Sequence, residues 1–228
     1  SMTPEQYAQE FECSFDAAIL GAYYGREIAE AERQGRITDV AVVPDLPVHT
    51  AWDLGKGANM AIWMFQVVGN EVHLVDHLEG EHDDALPQVV SRLDGLGYKW
   101  GDDFVPHDAK APELSTGRTR VETLLKLGRK PKLVPMHNVM DGINAGRLLV
   151  AHAWFDKTKC KDGIEALRQY RSEYDEKLKT FRDVPRHDWS SHSADAFRYV
   201  AMAYREFIAP KEEPPPKPDK LVYQILDG

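Results

Sequence analysis

The chain has 228 residues and carries 37 Asp and Glu against 28 Lys and Arg, a formal charge of −9. With 43% hydrophobic residues and five Trp it can bury a core, which excludes disorder throughout, and at ~100–200 residues per domain it suits one large domain with or without appendages. The longest apolar stretch, residues 61–65 followed by Val67 and Val68, falls far short of the ~18 residues a membrane span needs, and no signal-type segment opens the chain. A soluble, intracellular-type protein with no membrane partner is therefore expected. Cys13 and Cys160 stand alone without a CxxC, so packing roles are expected and neither a disulfide framework nor a cysteine zinc site is supported. The acidic charge disfavours tight nonspecific nucleic-acid binding, but it leaves room for a DNA enzyme working through local patches, metal ions or a larger assembly.

Ser1 ahead of Met2 reads as an expression scar, so the natural chain is expected to continue upstream. Residues 4–34 read as helical, with Phe15, Ala18, Ile19 and Ala22 on one stripe and Gly35 as the stop. Residues 1–46 are accordingly expected to be a helical linker or appendage, 47–209 the compact domain, and 210–228 a proline-rich charged tail. Three strand-type runs follow, 48–53, 59–68 and 71–78, the last two joined by the hairpin turn Gly69-Asn70. The middle run is apolar on both faces and belongs inside a sheet. Leu86, Val89, Val90, Leu93 and Leu96 recur at helical spacing before Gly97, and residues 104–108 make a short strand. A helix near 118–127, a strand near 132–136 and helices near 139–150, 162–174 and 191–207 complete the chain. The order β-β-β-α-β-α-β-α-α-α predicts an α/β fold: a mixed sheet of three antiparallel strands and then parallel crossovers, flanked by helices.

Two carboxylates fall at the ends of predicted strands. Asp53 precedes the glycine-rich Gly55-Lys56-Gly57, a loop able to approach a ligand closely, and Asp108 follows Pro106-His107. If the first and fourth strands are parallel neighbours, both side chains reach the carboxyl edge of the sheet, where ligands of open α/β sheets collect. Asp195 lies one turn into the last helix, with Ser190 or Ser191 as N-cap, at the border of a buried stripe of Ala194, Phe197, Ala201 and Tyr204. Three aspartates without cysteine make a hard-oxygen site suited to Mg²⁺ or Mn²⁺. Two such ions ~4 Å apart can generate hydroxide and stabilise the leaving oxygen of an in-line displacement at phosphorus. The bland alternative for each Asp alone is a turn or cap residue.

The runs Thr50-Ala51-Trp52-Asp53-Leu54-Gly55, Ala61-Ile62-Trp63, Pro106-His107-Asp108-Ala109, Gly163-Ile164-Glu165-Ala166-Leu167-Arg168-Gln169-Tyr170 and His187-Asp188-Trp189-Ser190-Ser191-His192-Ser193-Ala194-Asp195-Ala196-Phe197-Arg198-Tyr199 together resemble the C-terminal nuclease domain of tailed-bacteriophage large terminase subunits. The likeness spans about residues 11–207. It implies an RNase H-like fold, with Asp53, Asp108 and Asp195 matching the acidic metal-binding triad, Mg²⁺ or Mn²⁺ as two ions, and endonucleolytic cleavage of concatemeric double-stranded DNA during genome packaging. It also implies an upstream ATPase motor domain, small terminase subunit and portal as partners, and the host bacterial cytoplasm, at the procapsid portal, as the place of action. Two departures stand out. The acidic residue some relatives carry in the loop after the first strand is missing from Gly57-Ala58-Asn59-Met60, which weakens the second metal. No G-x-x-x-x-G-K-[ST] occurs, which argues against ATP turnover by these residues.

His192, three residues before Asp195, shares its helix face and is a candidate metal ligand, proton shuttle or phosphate contact, with helix-start packing as the equal alternative. His187 and His192 lack the further ligands a zinc site needs. On a strand, His107 would point to the face opposite Asp108, as a core histidine or one supporting the site from behind, and Asp188 reads as a turn residue. Arg118, Arg120, Lys126, Arg129, Lys130 and Lys132, against Glu122 alone, form the best candidate contact to a DNA backbone, with a solvated face as the alternative. Lys157, Lys159 and Lys161 form a weaker cluster, and Trp52, Trp63, Trp154 and Phe197 are expected in the core. No base-reading module is visible, so cleavage with little sequence specificity is expected. The competing readings are another RNase H-like polynucleotide enzyme, such as a branched-DNA resolvase, and a non-catalytic DNA-gripping or docking module of a packaging motor.

Overall fold

The structure, a computed structural model, describes residues 21–55, 57–112 and 117–208. The helical stripe at Phe15, Ala18 and Ile19, Cys13 and the expected tail from 210 lie outside the described residues.

The strands are β1 (Ile37–Thr38), β2 (Val48–Leu54), β3 (Met60–Val68), β4 (Glu71–Glu79), β5 (Trp100–Val105), β6 (Pro131–Leu133), β7 (Ala153–Asp156), β8 (Ser172–Asp175) and β9 (Thr180–Pro185). The helices are α1 (Gly25–Arg33), α2 (Leu86–Gly95), α3 (Arg120–Lys126), α4 (Val139–Val150), α5 (Lys161–Gln169) and α6 (Ser191–Ile208). Seven strands form one sheet in the order β1-β7-β4-β3-β2-β5-β6, and β8 and β9 form a separate two-stranded ribbon. β3 is antiparallel to both its neighbours, while every other pairing in the large sheet is parallel. β3, apolar but for a buried Gln66 that bonds the Val43 and Leu46 backbone, takes the central place, as residues buried on both faces require.

The sheet separates two cores. On one face α1, α4, α5 and α6 cover Trp63, Phe65, Phe104, Phe155 and Phe197. On the other, α2 and α3 cover Trp52, Ile62, Met64 and Val105. Alternation along β2 and β3 explains the division, since successive side chains point to opposite faces. Trp52, Trp63 and Phe197 are fully buried and Trp154 packs half-buried against the second core, as expected for core aromatics. Cys160 is a buried free thiol.

Several boundaries differ from the sequence reading. Ala22 forms an isolated antiparallel bridge with Arg171 instead of continuing a helix, whereas Gly35 ends α1 with a left-handed φ of +72°. From Tyr23 onward the N-terminal segment is built into the fold: Tyr24, Ile28 and Ala31 are buried, and β1 adds to the sheet beside β7. The helix expected over 162–174 stops at Gln169, and the chain then turns into the β8–β9 ribbon. Among the described residues no helix is long and apolar enough to cross a membrane.

Candidate active site

β2 and β5 are parallel neighbours, with Ala51 opposite Phe104. Their carboxyl ends therefore lie side by side, and each carries one predicted aspartate beyond the last shared pair. Asp53 ends β2 with a half-buried side chain. Asp108 lies past the end of β5, in a 3₁₀ turn over His107–Lys110, where it is exposed. That turn corrects the expectation for His107: β5 stops at Val105, strand alternation no longer applies, and the imidazole is exposed instead of entering the core.

The third aspartate arrives on α6, which begins at a tightly bonded turn. Asp188 Oδ1 accepts from the Ser190 amide at 3.1 Å and the Ser190 hydroxyl at 2.6 Å, and Ser191 Oγ accepts from the Asp188 amide at 2.9 Å. This is the turn role expected of Asp188. One residue into the helix, His192 Nδ1 donates to Asp53 Oδ2 at 2.9 Å, which raises the imidazole's affinity for a proton through that bond first. Asp195 receives Arg198 Nη2 at 2.6 Å. Burial, reinforced by the Asp53 charge, nevertheless raises its pKa above the ordinary carboxylate value. Burial likewise raises Tyr199, and Asp53, Asp195 and Asp108 all add to that rise, so the fields of all three aspartates act on one phenol.

The first turn of α6 is gripped by the sheet through Ser193, a residue the sequence reading did not single out. Trp63 Nε1 donates to the Ser193 carbonyl at 2.8 Å, Ser193 Oγ donates to Glu79 Oε1 at 2.9 Å, and His77 Nε2 lies 3.1 Å from the same hydroxyl. Because the hydroxyl proton goes to Glu79, its lone pair takes the Nε2 proton of a neutral His77, and burial lowers the His77 pKa to about 3. Glu79 itself stands in a row with Asp53, since Ala61 pairs with both. Directly paired residues share a face, so the two carboxylates flank the small, buried Ala61 beneath the first turn of α6. Only strand register reveals this neighbour.

The glycine-rich loop after β2 serves packing. A Cβ on Gly57, whose φ is +52°, would come within 2.2 Å of the His82 carbonyl, so its backbone rests on the segment following β4 instead of meeting a ligand. Of the basic candidates, Arg129 is corrected outright: it is buried, bonds Asp103 through Nε and Nη2, and lies 4.5 Å from the Trp100 ring centre. A guanidinium buried on Asp103 is not open to a DNA phosphate. Lys132 pairs with Glu206 at 2.5 Å but remains exposed, as do Arg118, Lys126 and Lys130, while Arg120 is half-buried.

Two tests bear on a divalent metal. In kind the donors fit: carboxylate oxygens, one of them held in a buried place beside a second negative charge, are what a hard cation stabilises. In position they are incomplete, since among the described residues no three His, Cys, Asp or Glu side chains stand together so as to hold a metal ion. Asp53 and Asp195 are drawn toward His192 and Arg198, and Asp108 remains outside.

Neither a protein-family model nor a curated protein sequence matches the chain. Solved structures do. The nuclease domain of the P22 large terminase is 17% identical with a TM-score of 0.56, over 75% of this chain and 89% of that one. The large terminase nuclease of thermophilic phage G20c, determined with bound magnesium, is 16% identical with a TM-score of 0.53, over 82% of this chain and 97% of that one. The large terminase of another thermophilic bacteriophage is 20% identical with a TM-score of 0.55, over 75% of this chain, which spans 43% of that protein's length. The chain thus has the RNase H-like fold of phage large terminase nuclease domains.

Proposed function

We propose that the chain is a metal-dependent endonuclease domain of a phage-type DNA-packaging terminase, hydrolysing phosphodiester bonds of concatemeric double-stranded DNA with little sequence specificity. The observation that carries this reading is the link from Asp53 at the end of β2, through His192, to the helix bearing Asp195, at the carboxyl edge of a sheet with that fold. Asp53, Asp195 and Asp108 would hold Mg²⁺ or Mn²⁺, the last after its exposed side chain swings inward. When bound, the ions supply an activated water and charge relief at the leaving oxygen. His192 fixes the orientation of Asp53, and Arg198 holds Asp195 in place until a cation competes for it. The carboxylates act as ligands and not as the acid and base. An upstream ATPase motor, small terminase subunit and portal would be partners in the host cytoplasm.

The test compares the unaltered chain with Asp53→Asn and Asp195→Asn, using plasmid cleavage in Mn²⁺ and calorimetric Mn²⁺ binding. Each substitution should lower cleavage at least ~100-fold and weaken metal binding, because each removes a charge at the centre of the site. Unchanged cutting by Asp53→Asn sinks the assignment. One observation favours a second reading: three ligand side chains do not stand together among the described residues, as befits a DNA-gripping module with vestigial cleavage. That module would bind DNA and leave plasmid intact with or without Asp53. Comparing linear with branched substrates separates the packaging nuclease from a resolvase.

A further inference from the structure

Beside His192 a cleft of about 350 Å³ opens between the 3₁₀ turn after β2 and the loop leading into α6, lined by Ala58, Met60, Glu79, His187, Trp189 and His192 among others. We infer that this cleft is a nucleobase subsite in which Trp189 stacks on an unpaired base of the DNA strand whose phosphate lies at Asp53. The inference deepens the nuclease reading and rests on it.

Trp189 is 57% exposed, whereas Trp52 and Trp63 are fully buried. Leaving an indole in water forfeits the stabilisation its burial would bring, and the backbone turn that carries this ring is held by its neighbours. Its neighbours Ser190 and Ser191 are buried. The Asp188 carboxylate bonds the Ser190 amide and hydroxyl, and Ser191 Oγ donates back to the Arg186 carbonyl at 3.2 Å. A flat apolar ring held out by a rigid turn loses little freedom on stacking.

The cleft's chemistry selects a base over a phosphate. Ala58 and Met60 contribute apolar surface, and the imidazoles of His187 and His192 meet edge to face with centroids 5.5 Å apart. Glu79 and Asp188 contribute negative charge to the same lining, which repels a phosphate and accepts from an exocyclic amino group, as carboxylates do from cytosine. Thymine offers no such group. Continuity decides the position, for His192 both lines the cleft and holds Asp53. A base entering it must leave its stack, which costs least at frayed or single-stranded positions.

The experiment titrates the full chain, in EDTA at low salt so that no cutting contributes, with a single-stranded oligonucleotide carrying 2-aminopurine. The unaltered protein should quench the probe, Trp189→Ala should bind about ten-fold more weakly, the size of one lost base stack, and Trp189→Phe should retain most of the affinity. Because the ring is exposed, all three should melt together. A second measurement needs no variant: bound oligonucleotide should shield the protein's accessible tryptophan emission from iodide, and oligo-dC should do so better than oligo-dT. Equal binding by Trp189→Ala, or iodide access unaltered by DNA, overturns the subsite. These outcomes are separate from the nuclease test: cutting lost in Asp53→Asn with Trp189→Ala neutral overturns only the subsite, and normal cutting by Asp53→Asn overturns the catalytic assignment whatever Trp189 does.

Discussion

Arg129 belongs to a run of basic side chains, yet its side chain is 4% exposed and closes on Asp103, which is 1% exposed. Asp103 also takes the Thr50 hydroxyl at 2.5 Å and the Lys130 amide at 2.8 Å, so the pair anchors the β5–β6 edge to β2. Removing one partner of a buried pair leaves an uncompensated charge and costs about 3–5 kcal/mol. Arg129→Ala should therefore lower the unfolding free energy obtained from urea titration by about that amount. For the molecules that remain folded, DNA affinity should stay unchanged, as a filter-binding comparison would show; a phosphate contact would give the opposite pattern. Nothing in the sequence run separates Arg129 from Lys130, because both are basic residues just before a strand. Only the register that brings Asp103 beneath one of them decides.

Helix α5 meets the sheet closely enough that a Cβ on Gly163 would sit 2.5 Å from Trp63 Cη2 and 2.9 Å from His77 Cδ2. Alanine in a helix interior normally gains up to about 1 kcal/mol over glycine, but forcing an atom against two rings that are themselves fixed costs about 1–3 kcal/mol. The clash wins, and Gly163→Ala should be destabilised on thermal denaturation. Trp63 and His77 both hold Ser193, so cleavage by the folded variant should also fall, through displacement of His192 and Asp195. At this scale much was legible in advance: β2, β3, β4, α2 and α4 fall where hydrophobic period and turn residues place them, and the parallel contact of β2 with β5 is one that the order of elements allows but does not require. β1 and β7, two and four residues long, are too short to show a period. The β8–β9 ribbon is polar and largely exposed, while Leu167, Tyr170 and Tyr174 keep a helical spacing past the true end of α5. In the site the three aspartates were visible as strand and helix termini. Glu79 was not, because its place depends on a pairing through Ala61, and Trp189 stood inside a recognised run without any signal that its ring faces water.

Over the whole molecule, the charge of −9 gives the chain little electrostatic hold on DNA of its own. Weak, strongly salt-sensitive association with duplex DNA is expected, and tight binding that survives 200 mM salt would contradict it. The response of the fold to acid follows from His77. Its ring packs at a tilt of 53° against Trp63 with centroids 4.6 Å apart, and burial lowers its pKa from 6.5 to about 3. The unfolded chain takes up the proton near pH 6.5 while the folded chain resists, so the neutral ring's contribution is complete above about pH 6.5 and is lost as pH falls toward 3. At about 1.4 kcal/mol per pH unit, the loss between pH 6.5 and 5 is at most about 2 kcal/mol. His77→Gln keeps a donor for Ser193 and has nothing to titrate. It should be less stable than the unaltered chain at pH 7, through lost packing on Trp63, and that deficit should shrink or reverse by pH 5. Urea midpoints that fall in parallel for both proteins across this range would show that His77 takes up its proton as readily in the fold as in the unfolded chain, and with it that the hydroxyl of Ser193 is held by a charged ring at pH 5.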